Sequence, residues 1–312
     1  MVNTRAVVFD QPRQLSLRAL SLASPGAGDV VVDIAWSSIS AGTERLLWEG
    51  RMPAFPGLGY PLVPGYESVG TVTQAGEAAG LAVGTTVFVP GANCYGEIRG
   101  LFGGAAQRLV APAHRLIPVD PTLGERATLL ALGATALHAI RGGTTLPDLI
   151  IGHGVFGRLA ARLTRALGGT PTVWEQSPAR MGGATDYAVC TSADDARRDY
   201  RCVFDASGDA TLLDTLVMRL AKGGEIVLAG FYATPITFAF PPAFMKEARL
   251  RVAAEWSPAD LADVVAMAQQ GTLSLDGLIT ALSPADRAAD AYRAAFDDPS
   301  CLKMVLDWRN AS

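Results

Sequence analysis

A glycine-rich turn between an apolar strand and a helix constrains the fold of this 312-residue chain most strongly. The apolar run Leu149 to Ile151 leads directly into Gly152-His153-Gly154-Val155-Phe156-Gly157, and a helix is expected over 158–167. In this pattern the first glycine permits a tight turn, the second lets the backbone approach a pyrophosphate, and the third allows close packing of helix and strand. Val155 and Phe156 offer backbone N–H groups, and the positive end of the helix favours a phosphate. The spacing therefore predicts a dinucleotide-binding βαβ unit rather than a glycine-rich surface turn.

An acidic residue follows this turn at the distance that a dinucleotide site requires. The next apolar run, Thr172 to Trp174, ends in Glu175. A carboxylate there accepts hydrogen bonds from the ribose hydroxyls and repels a 2′-phosphate, so NAD is expected rather than NADP. His153 lies inside the phosphate turn, where a contact with the cofactor is more plausible than one with a substrate.

Composition limits the class of protein. The length suggests two domains, and 26 basic against 30 acidic residues, with no basic run, argue against a nucleic-acid partner recognised by charge. Only three residues are lysines, so any catalytic lysine is Lys222, Lys246 or Lys303. The four cysteines show no CxxC spacing, which suggests neither a disulfide framework nor a closed zinc site and fits a reducing cytoplasm. No signal peptide is recognised, and no apolar stretch is long enough to predict a membrane span.

The sequence texture changes after 117–121, and this change predicts the domain organisation. Residues 1–120 contain short β-branched segments separated by Gly and Pro, which indicates a barrel-like, strand-rich domain. Residues 121–283 alternate helical runs with apolar strands, which indicates a doubly wound parallel sheet. A helix over 285–296 and a strand over 303–307 are expected to return the tail, 284–312, to the first domain. The other expected strands are 6–9, 30–35, 69–73, 86–89, 109–110, 149–151, 172–174, 187–189, 202–205 and 226–229.

Several segments, in the same order along the chain, resemble the medium-chain alcohol dehydrogenases. Ser40-Ala41-Gly42-Thr43-Glu44 resembles their Cys-Gly-Thr-Asp segment, and Pro64-Gly65-Tyr66-Glu67 resembles their Gly-His-Glu segment. Gly84 to Val87, Asp205 to Gly208 and Gly223 to Gly230 are similar to later family segments. The resemblance covers essentially the whole chain and implies a GroES-like β-barrel catalytic domain followed by a Rossmann NAD-binding domain.

The positions that differ from the family pattern bear on its catalytic metal. Family members that use zinc bind it through Cys, His and a second Cys. The matching positions in this chain are Ala41, Tyr66 and Ala131, none of which is a good zinc ligand. The structural zinc lobe is also missing, so we expect a member without a metal.

Three longer stretches, 42–53, 59–67 and 98–104, resemble a branch of the family that acts on bacteriochlorophyll precursors. The resemblance implies NAD-dependent oxidation of a 3-(1-hydroxyethyl) group on a tetrapyrrole to a 3-acetyl group. A hydroxyl beside a conjugated macrocycle lowers the demand for a metal, because positive charge at the carbon that loses hydride spreads into the ring. A group of the protein must still accept the hydroxyl proton.

Four residues are candidates for this catalytic work. Thr43 matches the family hydroxyl residue that contacts the substrate oxygen, and the phenol of Tyr66 would hold the same oxygen beside Glu67. An unperturbed tyrosine is a poor base, and Tyr66 is equally well explained as an aromatic residue that fills the space of the missing metal. His138 has the better intrinsic pKa, although a packed helix histidine is the simpler interpretation.

Further contacts are implied by the family positions and by aromatic residues in loops. Arg180 occupies the position that covers the adenine, although a solvated helix charge would look the same, and Ser207 follows the fourth strand of the cofactor domain. Candidates for binding the pigment are aromatic rings that would stack on the macrocycle and arginines that would pair with its propionate. They are Trp48, Phe55, Tyr60, Tyr95, Arg51 and Arg99. Local packing under a long loop explains the aromatic residues equally well.

Two other functions fit the same residues. A zinc-free quinone or enone reductase shares this fold, although Glu175 disfavours the NADPH that most such enzymes use. A cofactor-binding scaffold without catalytic activity would also lack the zinc ligands. The family resemblance further suggests a homodimer through the edge strands of the cofactor domains.

Overall fold

The computed structural model describes residues 2–311. The chain divides into two compact units: the first extends to Ala131 and resumes at Ile279, and the second covers Leu132–Leu278. The first unit is rich in strands, and the second alternates strands with helices around a parallel sheet. The α/β fold class predicted from the sequence is confirmed.

The described residues contain seventeen strands and seven α-helices. The strands are β1 (Val2–Gln11), β2 (Gln14–Leu22), β3 (Asp29–Ile39), β4 (Leu62–Val63), β5 (Ser68–Ala75), β6 (Thr86–Val89), β7 (Arg99–Gly100), β8 (Arg108–Pro112), β9 (Ile117–Pro118), β10 (Leu149–Ile151), β11 (Thr172–Trp174), β12 (Ala188–Cys190), β13 (Tyr200–Asp205), β14 (Leu220–Leu228), β15 (Arg249–Val252), β16 (Ala281–Pro284) and β17 (Met304–Asp307). The helices are α1 (Thr43–Glu49), α2 (Leu130–Arg141), α3 (Val155–Ala166), α4 (Leu213–Arg219), α5 (Phe240–Lys246), α6 (Pro258–Gln269) and α7 (Ala288–Asp297). Short 3-10 helices cover Ala113–Arg115, Pro121–Leu129, Pro178–Arg180 and Ala285–Arg287.

Strand β3 organises the larger sheet of the first unit. Its valines 30–32 are fully buried, as expected for β-branched residues in a central strand. It pairs with β5, with β8 and with the C-terminal strand β17, whose Met304 lies opposite Ile39. The strand order is β16-β17-β3-β5-β6-β9, and a separate four-stranded sheet has the order β2-β1-β4-β7. Residues from both ends of the chain therefore share one sheet.

The second unit contains a six-stranded parallel sheet with the order β12-β11-β10-β13-β14-β15. The central strands are short apolar runs, and Leu149 and Ile150 are fully buried, as expected when helices cover both faces. The strand order reverses between β10 and β13, and the crevice at the carboxyl ends of these two strands is the usual ligand position in such sheets.

Some element boundaries differ from the sequence expectation. Helix α3 begins at Val155, three residues before the expected start, because the last glycine of the turn lies inside the helix. The helix expected over 285–296 begins as a 3-10 turn and continues as α7 to Asp297. Strands β2 and β15 were not expected, because their many exposed and charged positions weaken the apolar signal on which strand prediction depends.

A buried hydrogen bond joins helices α1 and α7 in the first unit. Tyr292 donates its hydroxyl to Glu44 Oε2 at 2.7 Å, and the backbone N–H of Ser40 donates to Glu44 Oε1 at 3.0 Å. Glu44 has no exposed surface. Burial raises its pKa from 4.5 to about 7, against the opposing effect of these hydrogen bonds. The hydrogen bond between α1 and α7 therefore involves a carboxyl group whose pKa is near neutrality.

This titration makes the stability of the protein pH-dependent. Because the pKa of Glu44 is higher in the folded protein, the native state retains this proton more tightly than the unfolded chain. The stabilisation is complete below the unfolded pKa and is lost as the pH rises through about 7. The loss from this group should amount to about 3 kcal/mol of unfolding free energy, and Glu44→Gln should lack it. Urea denaturation at pH 5 and pH 8 measures the difference.

The exposed Glu77→Gln variant is the matched control and should follow the wild-type pH dependence. Parallel pH dependences for the wild type and Glu44→Gln would contradict the assignment.

Candidate functional site

The glycine-rich turn has the geometry of a phosphate-binding loop. Gly152 follows β10 with φ +93°, a conformation that favours glycine. A Cβ on Gly157 would lie 1.9 Å from the Gly152 carbonyl oxygen, so a larger residue there would push helix α3 away from the turn. Gly154, which has no capping side chain, precedes α3 and leaves the first-turn N–H groups of Val155 and Phe156 without a side-chain cap. This open helix N-terminus can bind a pyrophosphate.

Glu175 lies at the carboxyl end of β11 and faces this turn. One carboxylate oxygen accepts the N–H groups of Gln176 and Ser177 at 2.8 Å each, and the other accepts the N–H of His153 at 2.9 Å. The side chain is buried at 9% exposure. A carboxylate offers about four lone-pair sites, so these bonds orient Glu175 and leave capacity for a ribose hydroxyl.

The His153 ring is buried beneath the turn. Its Nδ1 lies 2.6 Å from the Arg180 carbonyl oxygen, and its Nε2 lies 2.9 Å from the Tyr187 hydroxyl. A carbonyl can only accept, so Nδ1 carries the proton, and in the neutral ring Nε2 accepts from Tyr187. Burial lowers the pKa of His153 and favours this neutral form. The ring has no exposed surface, so its polar atoms support the turn and do not face the cofactor position that the sequence suggested.

Two other expected cofactor residues border the same turn. Ser207 follows β13, and its N–H and hydroxyl donate to Asp205 at 2.9 and 2.6 Å. A Cβ built on Gly152 would lie 3.7 Å from Ser207 Cα, which places Ser207 at the point where the strand order reverses. The half-buried Arg180 is nearby, since a Cβ on Gly154 would lie 3.9 Å from its Nη1. The structure thus places Glu175, Ser207 and Arg180 around the glycine-rich turn, with the His153 ring buried beneath it.

In the first unit, the hydroxyl group of Tyr66 lies close to the hydroxyl groups of Ser40 and Thr43. The Tyr66 hydroxyl lies 2.7 Å from Ser40 Oγ. The Tyr66 ring is half-buried and meets the edge of Phe102, with 5.2 Å between ring centroids. Burial raises the pKa of Tyr66 strongly, and the charge of Glu67 raises it further, while hydrogen bonds from Ser40 and Thr43 oppose the change. Tyr66 is therefore a neutral phenol at neutral pH, able to donate or relay a proton but unsuited to be a free base.

Glu67, the residue after Tyr66, forms a buried ion pair with Lys303. The Lys303 ammonium donates to Glu67 Oε2, and Ser38 Oγ donates to the same oxygen at 2.5 Å. Lys303 is 2% exposed and Glu67 is 0% exposed. Within the described part of the chain, Glu67 Oε1 is buried and accepts no hydrogen bond. The site thus contains a carboxylate of which only one oxygen accepts hydrogen bonds from the described residues.

Sequence reasoning missed three members of this cluster. Ser40 is the first residue of the motif that contains Thr43, and Phe102 lies in one of the recognised stretches, but neither position could be connected to Tyr66 without the fold. Lys303 is one of only three lysines in the chain. The sequence alone could not show that its ammonium pairs with the buried Glu67.

His138 is found in a different setting from Tyr66, inside the second unit. Its Nδ1 lies 2.8 Å from Asp260 Oδ2, and Asp260 forms the capping box of α6 with Ser257. Arg141 also approaches Asp260, at 3.6 Å. The imidazole thus supports a helix cap, the simpler of the two interpretations.

The residues at the family's zinc positions do not fit that metal. Ala41 and Ala131 offer only methyl groups, and Tyr66 is a phenol that burial keeps protonated. No group of three or more His, Cys, Asp or Glu side chains in residues 2–311 could hold a metal ion. No step of the chemistry is therefore assigned to zinc.

The side chains of Tyr95, Tyr60 and Trp48 make contacts within the protein. Tyr95 is 4% exposed and donates to the Gly103 carbonyl at 2.5 Å, so its expected stacking on a ligand is incompatible with its place in the core. Tyr60 donates to the Leu47 carbonyl, and Trp48 packs edge-on against Phe9 at 5.5 Å. Both are half-buried.

Three of the expected substrate residues are exposed. Phe55 is 37% exposed. Arg51 pairs with Glu49 at 2.8 Å, and the exposed Arg99 lies over Gly59, where an added Cβ would be 2.8 Å from the guanidinium carbon. Among the substrate residues predicted from the sequence, these three have exposed side chains.

Comparisons with known proteins give consistent results. The alcohol dehydrogenase GroES-like domain family matches residues 26–121. A 2-desacetyl-2-hydroxyethyl bacteriochlorophyllide A dehydrogenase of Rhodobacter capsulatus is 57% identical, over 99% of this chain and 100% of the relative. The protein of the same description from Cereibacter sphaeroides is 56% identical, over 99% of both chains.

Solved structures show the same fold. An alcohol dehydrogenase of Escherichia coli CFT073, in complex with NADH, has a TM-score of 0.83 and 20% identity, over 98% of this chain and 99% of that one. The full-length identity of more than half to the two bacterial relatives shows the family. The chain belongs to the medium-chain alcohol dehydrogenases, in the branch of the bacteriochlorophyllide A dehydrogenases.

Proposed function

We propose that this protein is an NAD-dependent dehydrogenase that oxidises the hydroxyethyl side chain of a bacteriochlorophyllide a precursor to an acetyl group. The observation that carries the proposal is the 57% identity, over essentially the whole chain, to a relative described as acting on this side chain. The oxidation transfers hydride from the carbinol carbon to the nicotinamide ring and releases the hydroxyl proton. The substrate becomes a ketone, and NAD becomes NADH.

The chain's own residues supply cofactor binding. The open N-terminus of α3 binds the pyrophosphate, and Gly152, Gly154 and Gly157 let the backbone approach it. Glu175 accepts the ribose hydroxyls. A nicotinamide cofactor agrees with the NADH present in the similar E. coli structure. Preference for NAD rests on the Glu175 charge, which would repel a 2′-phosphate.

Tyr66 and its neighbours handle the hydroxyl proton. The phenol holds the substrate oxygen, with Thr43 as a second hydroxyl contact. Because Tyr66 is neutral, its oxygen accepts the substrate proton only as its own proton passes to Ser40 Oγ, 2.7 Å away. Ser40 in turn gives its own hydroxyl proton to water, so the proton from the substrate is balanced by one released to solvent. Tyr66 thus acts as a relay.

The tetrapyrrole itself accounts for chemistry without a metal ion. Zinc assists alcohol oxidation by lowering the pKa of the hydroxyl. A carbinol carbon attached to a conjugated ring gains stabilisation as hydride leaves, and the product acetyl group is conjugated with the ring. The exposed Phe55 and Phe102 offer ring surfaces for a flat macrocycle, and Arg51 or Arg99 can pair with its propionate.

Assembly and location follow the same proposal. Strand β15 forms an edge of the parallel sheet, and its Leu250 and Val252 are 39% and 76% exposed. The outer side of β15 has no strand partner within residues 2–311, and such an edge favours pairing with a second copy, so we expect a homodimer. None of the helices in residues 2–311 combines the length and apolarity that crossing a bilayer requires. The four cysteines are free, which suits a reducing cytoplasm.

The function is tested by absorption spectroscopy of purified protein with NAD and a hydroxyethyl bacteriochlorophyllide or chlorophyllide. Oxidation should shift the long-wavelength pigment band to the red, because the ring gains a conjugated carbonyl, and NADH should appear in equal amount. Pigment binding without turnover in either direction would instead support a scaffold. Reduction of quinones or enones with no action on pigment would support the reductase.

Tyr66→Phe should lower kcat about 100-fold, because the variant cannot relay the proton, while the KM for NAD stays unchanged. Tyr200→Phe removes a buried phenol that is hydrogen-bonded to Asp195 in the second unit, and it should leave the kinetics intact. Steady-state rates with pigment and NAD measure both variants. A wild-type kcat in Tyr66→Phe would exclude Tyr66 from the relay.

Glu175→Ser should raise the use of NADP relative to NAD, because the repulsion of the 2′-phosphate is lost. The ratio of kcat/KM for the two cofactors measures the effect, with the exposed Glu77→Ser as a control. An unchanged ratio would show that Glu175 does not reach the ribose.

A further inference from the structure

The Glu67–Lys303 pair lies where three strands of the first unit meet. Glu67 directly precedes β5, Lys303 directly precedes β17, and Ser38 belongs to β3, which pairs with both strands. The Ser38 N–H donates to the Glu67 carbonyl at 3.0 Å, so the backbone as well as the side chains fixes this arrangement. The carboxylate therefore has little freedom to move.

Fold stability alone does not explain this pair. Removing a carboxylate and an ammonium from water costs several kcal/mol per ion, and apolar residues of similar volume often stabilise a protein equally well. Here one carboxylate oxygen takes both Lys303 and Ser38, and the other accepts no hydrogen bond within residues 2–311. A buried acceptor left in this state costs further free energy. Such a cost is characteristic of functional sites.

The reaction supplies a role for this charge. As hydride leaves the carbinol carbon, positive charge develops on that carbon before the proton is lost. A fixed carboxylate beside Tyr66 stabilises that charge and also disfavours the tyrosinate, which keeps the phenol able to relay. A metal ion would act in the opposite sense, by stabilising an alkoxide before hydride transfer.

We propose that Lys303 is a positioning residue of the reaction: its ammonium anchors the Glu67 carboxylate beside Tyr66 and leaves Oε1 free to act on the reacting groups. In place of a metal cation, this protein then uses a buried anion held by a lysine. The inference rests on the proposed function of Tyr66 and deepens it.

The test uses a paired substitution that removes both charges, Glu67→Gln with Lys303→Met. Lys303→Met alone should lower the thermal midpoint, because it leaves a buried charge unpaired, and the pair should recover it. The paired variant should still have kcat for pigment oxidation at least about tenfold lower, with an unchanged KM for NAD. Lys303→Arg, which keeps the charge, should retain most of the wild-type kcat.

Coupling to Tyr66 separates positioning from a purely structural role. If the pair acts through Tyr66, the variant that combines all three substitutions should have the same kcat as Tyr66→Phe alone, because the loss caused by the paired substitution is then already contained in it. A wild-type kcat in the paired variant, or losses that multiply, would overturn the inference.

Two further outcomes are also decisive. If the paired variant does not fold, loss of kcat in Lys303→Arg at an unchanged thermal midpoint overturns the inference, and a retained kcat supports it. An unimpaired Tyr66→Phe, or wild-type protein inactive on pigment, would show failure of the proposed function itself, and the role of Lys303 would fall with it.

Discussion

Two carboxyl groups, Glu44 and Glu67, and one ammonium, Lys303, are buried in the strand-rich unit. Each buried polar group needs a hydrogen-bond or ion-pair partner, and this requirement shapes the surroundings of Tyr66. Glu67 takes the ammonium of Lys303, and Glu44 takes only neutral donors. Glu44 therefore has a pKa near 7, to which the nearby charge of Glu67 contributes after burial. The Tyr66 phenol is kept protonated by the same two causes, burial and Glu67. Within residues 2–311, Lys303 forms the ion pair of this buried cluster.

This cluster depends on the return of the chain end to the first unit. Strand β17 pairs with β3, and Lys303 lies at its beginning. Helix α7 brings Tyr292 to Glu44. Both partners of the buried carboxyls are therefore about 240 residues away in sequence. The glycine-rich turn between β10 and α3 is formed differently, because its geometry arises within one βαβ segment and its residues are close in sequence.

That difference explains which predictions the sequence supported. The α/β class, the glycine turn and the position of Glu175 at a strand end were all readable, because each follows from local periodicity and spacing. The environments of individual side chains could not be predicted from the sequence. His153 and Tyr95 looked available to ligands, yet both are buried and bonded to nearby backbone carbonyls. Loop aromatic and histidine residues carry no local signal that distinguishes packing from binding.

The sequence by itself determined the two-part architecture, the glycine-rich turn between β10 and α3, and the presence of residues other than zinc ligands at positions 41 and 66. It determined these because backbone conformation and donor chemistry depend on residue type and near neighbours. Only the tertiary structure decided which groups compensate Glu67 and Glu44, and that Ser40 and Phe102 flank Tyr66. The physical reason is that burial and electrostatic pairing are properties of surroundings, and those surroundings come from strands that meet only after folding.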